Sequence, residues 1–167
     1  MSKLKIALQK SGRLSEKSIA LLEECGLKFP NGGGKLITES SNFPVEILFL
    51  RDDDIPQYVE QNVAHIGIIG ENVFIESQKQ INIIEKLNFS GCRLSLAVPK
   101  ETDYEGVSFF NNKKVATSYP NILQIFFNEN GINATVEVIS GSVEIAPGIG
   151  LADGICDIVS SYLAYHH

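Results

Sequence analysis

The sequence predicts an α/β protein built from two small lobes with a cleft between them, on two observations. Short apolar segments alternate with helical periodicities along the chain, and most of them end in a loop bearing Gly or Ser. Strand, polar loop and helix in that order give a parallel pattern, with ligand loops at the carboxyl ends of the strands. Near Gly91 a glycine turn restarts the pattern, which sets the lobes at residues 1–91 and 92–167.

The 167 residues supply ample core, and 44% hydrophobic with 20% charged residues is a soluble globular composition. A net charge of -6 without a basic stripe excludes a nucleic-acid surface, so any polyanion must be held by a few placed cations. Cys25, Cys92 and Cys156 show no CxxC or Cys/His spacing. Neither a zinc site nor a disulfide framework is suggested, and free thiols in a reducing cytoplasm are expected. The N-terminus lacks the apolar run of a signal peptide, and no segment approaches the ~18 apolar residues of a membrane span. No internal repeat stands out.

Leu4–Leu8 reads as a strand, followed by the loop Gln9-Lys-Ser-Gly-Arg-Leu14 and a helix with Ser15 as N-cap, Ile19, Leu21, Leu22 and Cys25 as its buried stripe, and Gly26 as its end. Lys10 and Arg13 flank Gly12, so two cations and an accessible backbone share one loop suited to a pyrophosphate; solvated charges are the plainer alternative. Asn31–Lys35 lacks P-loop spacing and reads as a surface loop. Val45–Leu50 is a strand leading into Arg51-Asp-Asp-Asp-Ile-Pro56, whose acids are best read as caps for a helix over Pro56–Val63, with metal binding or orientation of Arg51 as alternatives. His65 precedes a buried strand ending in Gly70-Glu-Asn72 and reads as a surface or core histidine. A helix over Val73–Gln80 and a strand over Ile81–Leu87 follow. The second lobe enters on the strand after Gly91. Lys113–Pro120 is strand then loop, Asn121 heads a helix over Ile122–Asn130 closed by Gly131, and Thr135–Ile139 is a strand.

The stretch Gly141–Val159 closes the pattern. Leu151, Ala152, Ile155, Ile158 and Val159 recur at helical spacing, which would put Asp153 and Asp157 on one helix face. Glu144 arrives from the strand side, and Pro147-Gly-Ile-Gly150 is a turn permitting close backbone approach. Carboxylates accept from the two hydroxyls of a diol, and a helix start accepts an anion, so the stretch suits a sugar phosphate. A tight turn with surface acids is the alternative.

The loops Gln9–Leu14, Arg51–Pro56, Gly67–Asn72, Phe89–Leu94, Ala116–Pro120 and Gly141–Val159, in that order, resemble those of the ATP phosphoribosyltransferases, nearer the long form than the short, over residues 4–161. That resemblance implies two lobes similar to type II periplasmic binding proteins, with the active site in the cleft. It implies transfer of the phosphoribosyl group of phosphoribosyl pyrophosphate to N1 of ATP, the first step of histidine biosynthesis, with Mg²⁺ as cofactor. Arg13 would act at the leaving pyrophosphate, and Arg51 there or at the nucleotide phosphates. Substrate contacts are expected from Lys10, Gly12, Glu71, Ser118, Tyr119, Glu144, Asp153, Asp157, Ser160 and Ser161, with Glu144 and Asp157 on the ribose hydroxyls. A homo-oligomer is expected. No general base is nominated, because N1 of adenine is already nucleophilic.

The sequence also departs from the family. Where a Ser-Gly-x-Thr-Leu segment would cradle the 5′-phosphate, Ser160-Ser161 is followed by Tyr162-Leu-Ala-Tyr-His-His167. The strands returning to the first lobe and a regulatory C-terminal domain are expected to be missing, and histidine feedback with them. His65 stands where the family has an acid, and the terminal histidines read as a disordered end or a tag. The second reading is therefore an impaired fragment or a non-catalytic nucleotide or small-solute binding protein on the same fold; a regulatory partner subunit has no positive feature.

Overall fold

A computed structural model describes residues 3–30, 36–89 and 92–160, and the chain divides into two compact units, residues 1–90 and 91–167. Each carries one four-stranded mixed sheet. The expected loop Asn31–Lys35, together with Ser161 and the terminal histidines, lies outside the described residues.

In the first unit β1 (Leu4–Gln9) lies between β3 (Val45–Leu50) and β4 (Ile66–Gly67), parallel to both, while β2 (Ile37–Glu39) joins β3 antiparallel at the edge. Alternation along the strands fills both faces. Ile6, Leu8, Val45 and Ile47 pack with Leu22 of α1 (Arg13–Glu24), and Ala7 and Leu48 pack with Ile55 of α2 (Ile55–Glu60). Helix α1 begins earlier than expected. Gly12 is its N-cap and the buried Ser15 lies within its first turn, where its small side chain lets the helix approach the sheet. Leu22 is buried and Cys25 exposed, so the apolar stripe ends a turn before Gly26, whose φ of 96° closes the helix.

The three acids after β3 do not cap a helix through their side chains. Asp52–Asp54 form one 3-10 turn, and α2 runs over Ile55–Glu60 rather than to Val63. Helix α3 spans Glu71–Ser77, starting earlier than expected, and the strand expected at Ile81–Leu87 does not form. That segment makes no ladder among the described residues, leaving Ile83 and Ile84 exposed: apolar composition without a partner strand does not make a strand.

In the second unit β6 (Lys114–Thr117) is flanked by β7 (Thr135–Val138) and β8 (Gly154–Ser160), both parallel to it, and β5 (Cys92–Ala97) pairs antiparallel with β8. Helix α4 (Pro120–Glu129) connects β6 to β7 and covers one face, where Phe110, Val115, Leu123, Phe127 and Cys156 form the core. It starts at Pro120 with Tyr119 as N-cap, so Asn121 is inside it: proline's fixed φ suits the first helical position. The other face is covered by the connection from β7 to β8, through Val143, Ala146 and Ala152 against Ala116.

The largest correction falls on residues 151–159. They are not a helix; Gly154–Ser160 is the strand β8. An apolar-rich strand with side chains on both faces satisfies helical spacing by accident, and β-branched Ile155, Ile158 and Val159 behind Gly154 favour the extended form.

Gly67 carries a stability prediction. A Cβ there would sit 2.6 Å from Cγ2 of the buried Ile55 and 3.1 Å from Cγ2 of Val59. Gly67→Ala is expected to destabilise the protein by about 1–3 kcal/mol, measured as a lower denaturation midpoint at unchanged slope. An unchanged midpoint would mean that α2 does not press on β4 in this way.

Candidate functional site

In the second unit the site forms at the carboxyl ends of the parallel strands. Thr117, the fully buried last residue of β6, accepts the Tyr119 N–H on its Oγ1 at 2.9 Å, and its carbonyl accepts the Ile139 N–H at 2.9 Å. Ser118 donates its hydroxyl to the Ile139 carbonyl at 2.5 Å. The loops after β6 and β7 are thereby tied to each other. Beyond Ile139 the backbone turns through Gly141 (φ 79°) and Ser142 (φ 51°, ψ 36°), a left-handed conformation that costs a non-glycine residue energy. The turn feeds the short 3-10 segment Val143–Ile145, with Val143 buried and Glu144 exposed.

Strand β8 then places the acids. Asp153 accepts the Lys114 N–H on Oδ2 at 2.9 Å and donates its own N–H to the Lys114 carbonyl at 2.8 Å, so it fixes the start of β8 on β6. Asp157 lies within β8 opposite Ser95, half-buried, its Oδ1 accepting the Ile158 N–H at 2.8 Å. The two acids therefore do not share a helix face. Along an extended chain they stand about 13 Å apart, against about 6 Å on one helix face, too far for a joint grip on one diol. Glu144 instead shares a sheet face with Asp157. Ile155, two residues before Asp157 and on the same side of the strand, lines an open depression of about 470 Å³ with Ala97, Val98, Pro99, Glu101, Glu144, Pro147 and Gly148. Ser160 is the last residue of β8, paired with Cys92.

In the first unit the cationic residues gather at the ends of the neighbouring strands β1 and β3. The Lys10 N–H donates to the Leu50 carbonyl at 2.9 Å, extending the ladder into the loop. Gly12 (φ 95°) stands at the N-cap of α1 with no side chain to occupy it, and the exposed Arg13 is the first helical residue. Arg51, also exposed, donates from Nη2 to Oδ2 of Asp53 at 3.2 Å, so one of the three acids orients this arginine. Glu71, on the first turn of α3, lies 3.6 Å from the Lys86 ammonium, an exposed pair worth little by itself. His65 has the partner its sequence context did not supply. Its Nδ1 accepts the Lys5 N–H at 2.9 Å and its own N–H donates to the Lys5 carbonyl, which prolongs the β1–β4 pairing.

Sequence reasoning passed over Thr117 and Glu101. A threonine ending a strand before Ser-Tyr-Pro was the available sign of a side-chain-closed turn, whereas nothing local links Glu101 to Glu144.

Compared with known proteins, the chain matches the family model for ATP phosphoribosyltransferase (HisG) over residues 51–162. It is 59% identical to the ATP phosphoribosyltransferase of Cytophaga hutchinsonii over 158 residues, which is 95% of this chain and 55% of that protein. It is 60% identical to the one from Bacteroides fragilis over the same length, 56% of that protein. The chain belongs to the ATP phosphoribosyltransferase family. It spans about half the length of the curated relatives it matches. Among solved structures it resembles the ATP phosphoribosyl transferase (HisG:HisZ) complex from Thermotoga maritima, with TM-score 0.78 and 29% identity over 96% of this chain and 76% of that one. The cysteine-binding protein of Campylobacter jejuni shares the fold, with TM-score 0.51 and 15% identity over 93% of this chain and 63% of that one. Both sheets and the α/β class thus agree with the sequence expectation.

Asp153→Ala tests the anchoring of β8. Loss of its acceptor is expected to lower stability by about 1 kcal/mol without changing the denaturant slope. No loss of stability would mean that the carboxylate is not committed to Lys114.

Proposed function

We propose that this chain carries the phosphoribosyl-transfer site of an ATP phosphoribosyltransferase, joining N1 of ATP to C1 of phosphoribosyl pyrophosphate and releasing pyrophosphate. The observation that carries the reading is the placement of Glu144 and Asp157 toward one sheet face, beside the end of β6 and within β8, inside the matched family region. Carboxylates so placed accept hydrogen bonds from vicinal ribose hydroxyls and orient C1. The ribose acids are assigned to the second unit and the phosphate-directed cations Lys10, Arg13 and Arg51 to the first.

In the reaction the bond from C1 to the pyrophosphate oxygen breaks with its electron pair leaving on pyrophosphate, and a bond from N1 to C1 forms. Positive charge builds on the ribose ring and negative charge on the leaving group. Arg13 and Arg51 stabilise the latter, and Glu144 and Asp157 hold and screen the ring. The loop through Gly12 and the first turn of α1 offer backbone N–H groups to the phosphates. Ser118 acts by holding the Ile139 loop, and Tyr119 by bordering the site at the start of α4. Magnesium, when bound with pyrophosphate, would neutralise charge on the leaving group. Such an ion would take most of its coordination from phosphate oxygens and water.

The Thermotoga maritima relative was solved as a complex, and self-association or assembly with a partner is proposed here by extension. No helix among the described residues is long and apolar enough to cross a membrane, and a cytoplasmic place of work is proposed with the pathway.

Incubation with ATP, phosphoribosyl pyrophosphate and Mg²⁺ should release pyrophosphate. No release at high protein concentration, with calorimetric binding of either substrate intact, would replace the transferase reading by that of a binding protein. Asp157→Ala is expected to weaken phosphoribosyl pyrophosphate binding about tenfold or more while ATP binding and the denaturation midpoint stay nearly unchanged. An equal loss of stability would assign Asp157 to the fold instead.

A further inference from the structure

Strand β5 presents a cation beside these acids. In the antiparallel β5–β8 ladder Ala97 opposes Ile155, Ser95 opposes Asp157 and Arg93 opposes Val159. Leu94, Leu96 and Cys156, the alternate residues, pack into the core under α4, so Arg93, Ser95 and Ala97 belong to the opposite face, the one bearing Asp157. Ala97 and Ile155 join Glu144 in lining the depression. The face therefore carries an ordered strip: Glu144 beside Ala97 and Ile155, then Asp157 with Ser95, then Arg93. Arg93 is diagonal to Asp157, a cross-strand separation of about 7–8 Å that an arginine side chain spans with ease. It is exposed and makes no ion pair or side-chain hydrogen bond among the described residues. Two carboxylates followed by a free guanidinium match a diol followed by a phosphate.

We propose that Arg93 binds the 5′-phosphate of the phosphoribosyl substrate, a role that rests on the assignment of Glu144 and Asp157 to the ribose hydroxyls. Its planar fork takes two phosphate oxygens at once, while Asp157 between it and Glu144 keeps the diol and the phosphate in register. The cation lies at the Ser160 end of β8, the end toward which the strip of Glu144 and Asp157 runs.

The test is calorimetric binding of ribose 5-phosphate, phosphoribosyl pyrophosphate, inorganic pyrophosphate and ATP to the full 167-residue chain and to Arg93→Gln and Arg93→Lys. Arg93→Gln should weaken ribose 5-phosphate and phosphoribosyl pyrophosphate about 10- to 100-fold. Arg93→Lys should fall between it and the wild type, with ATP, pyrophosphate and the melting temperature unaltered in both. Unchanged ribose 5-phosphate affinity in Arg93→Gln overturns the proposal and leaves the phosphoribosyl reading standing, and a loss confined to pyrophosphate overturns the 5′ assignment. A wild-type chain that binds neither ribose 5-phosphate nor phosphoribosyl pyrophosphate overturns the reading itself, and the role of Arg93 with it.

Discussion

The parallel pairing of β8 with β6 is the constraint on which the second unit depends. Asp153 fixes it through two bonds to the Lys114 backbone, and Gly154 lets it close. A Cβ at Gly154 would lie 2.9 Å from both the Ala97 carbonyl and Cε1 of the buried Phe110. From that start the period of two decides every later side chain. Cys156 goes into the core and Asp157 to the face beneath the β7–β8 connection. A slip of one residue would exchange them, burying a carboxylate among phenylalanines and exposing the core thiol.

The same dependence runs through the loops. Thr117 and Ser118 use their side chains on backbone groups of Tyr119 and Ile139, so the path toward Glu144 is set before any ligand arrives. Such preorganisation lowers the cost of ordering a loop on binding. The first unit reaches a similar result by other means. Its cations sit on short loops whose backbone continues the β1–β3 ladder, and a glycine N-cap leaves the head of α1 open. Exposed cations thus stand on the loops after β1 and β3 in the first unit, and Glu144 and Asp157 stand on β8 and its preceding turn in the second.

Much of this was legible in the sequence, because glycines, serines and prolines punctuate the strands and the loop motifs are specific. Strands β1, β3, β6 and β7 fell near their expected positions, as did the glycines after α1 and α4. Two failures share a physical cause. Periodicity reports burial, and a segment that mixes buried, half-buried and exposed apolar residues, such as Ile155–Ile158, carries no unique period. Conversely, the apolar Ile81–Leu87 has composition but no ladder among the described residues. At the site, the sequence singled out Glu144 and Asp157 but paired Asp157 with Asp153. Only the strand register shows that Asp153 serves the backbone and that Arg93, sixty-four positions earlier, shares a face with Asp157.

In the proposed reaction the face carrying Glu144 and Asp157 receives the ribose phosphate. Amide chemical shifts of the isotope-labelled chain, followed during titration with ribose 5-phosphate, test it directly. Saturable shifts are expected at residues 93–95, 139–144 and 155–157, with little change in the outer residues of α4 or in β2. Shifts absent from 139–144 and 155–157 while appearing elsewhere would contradict it.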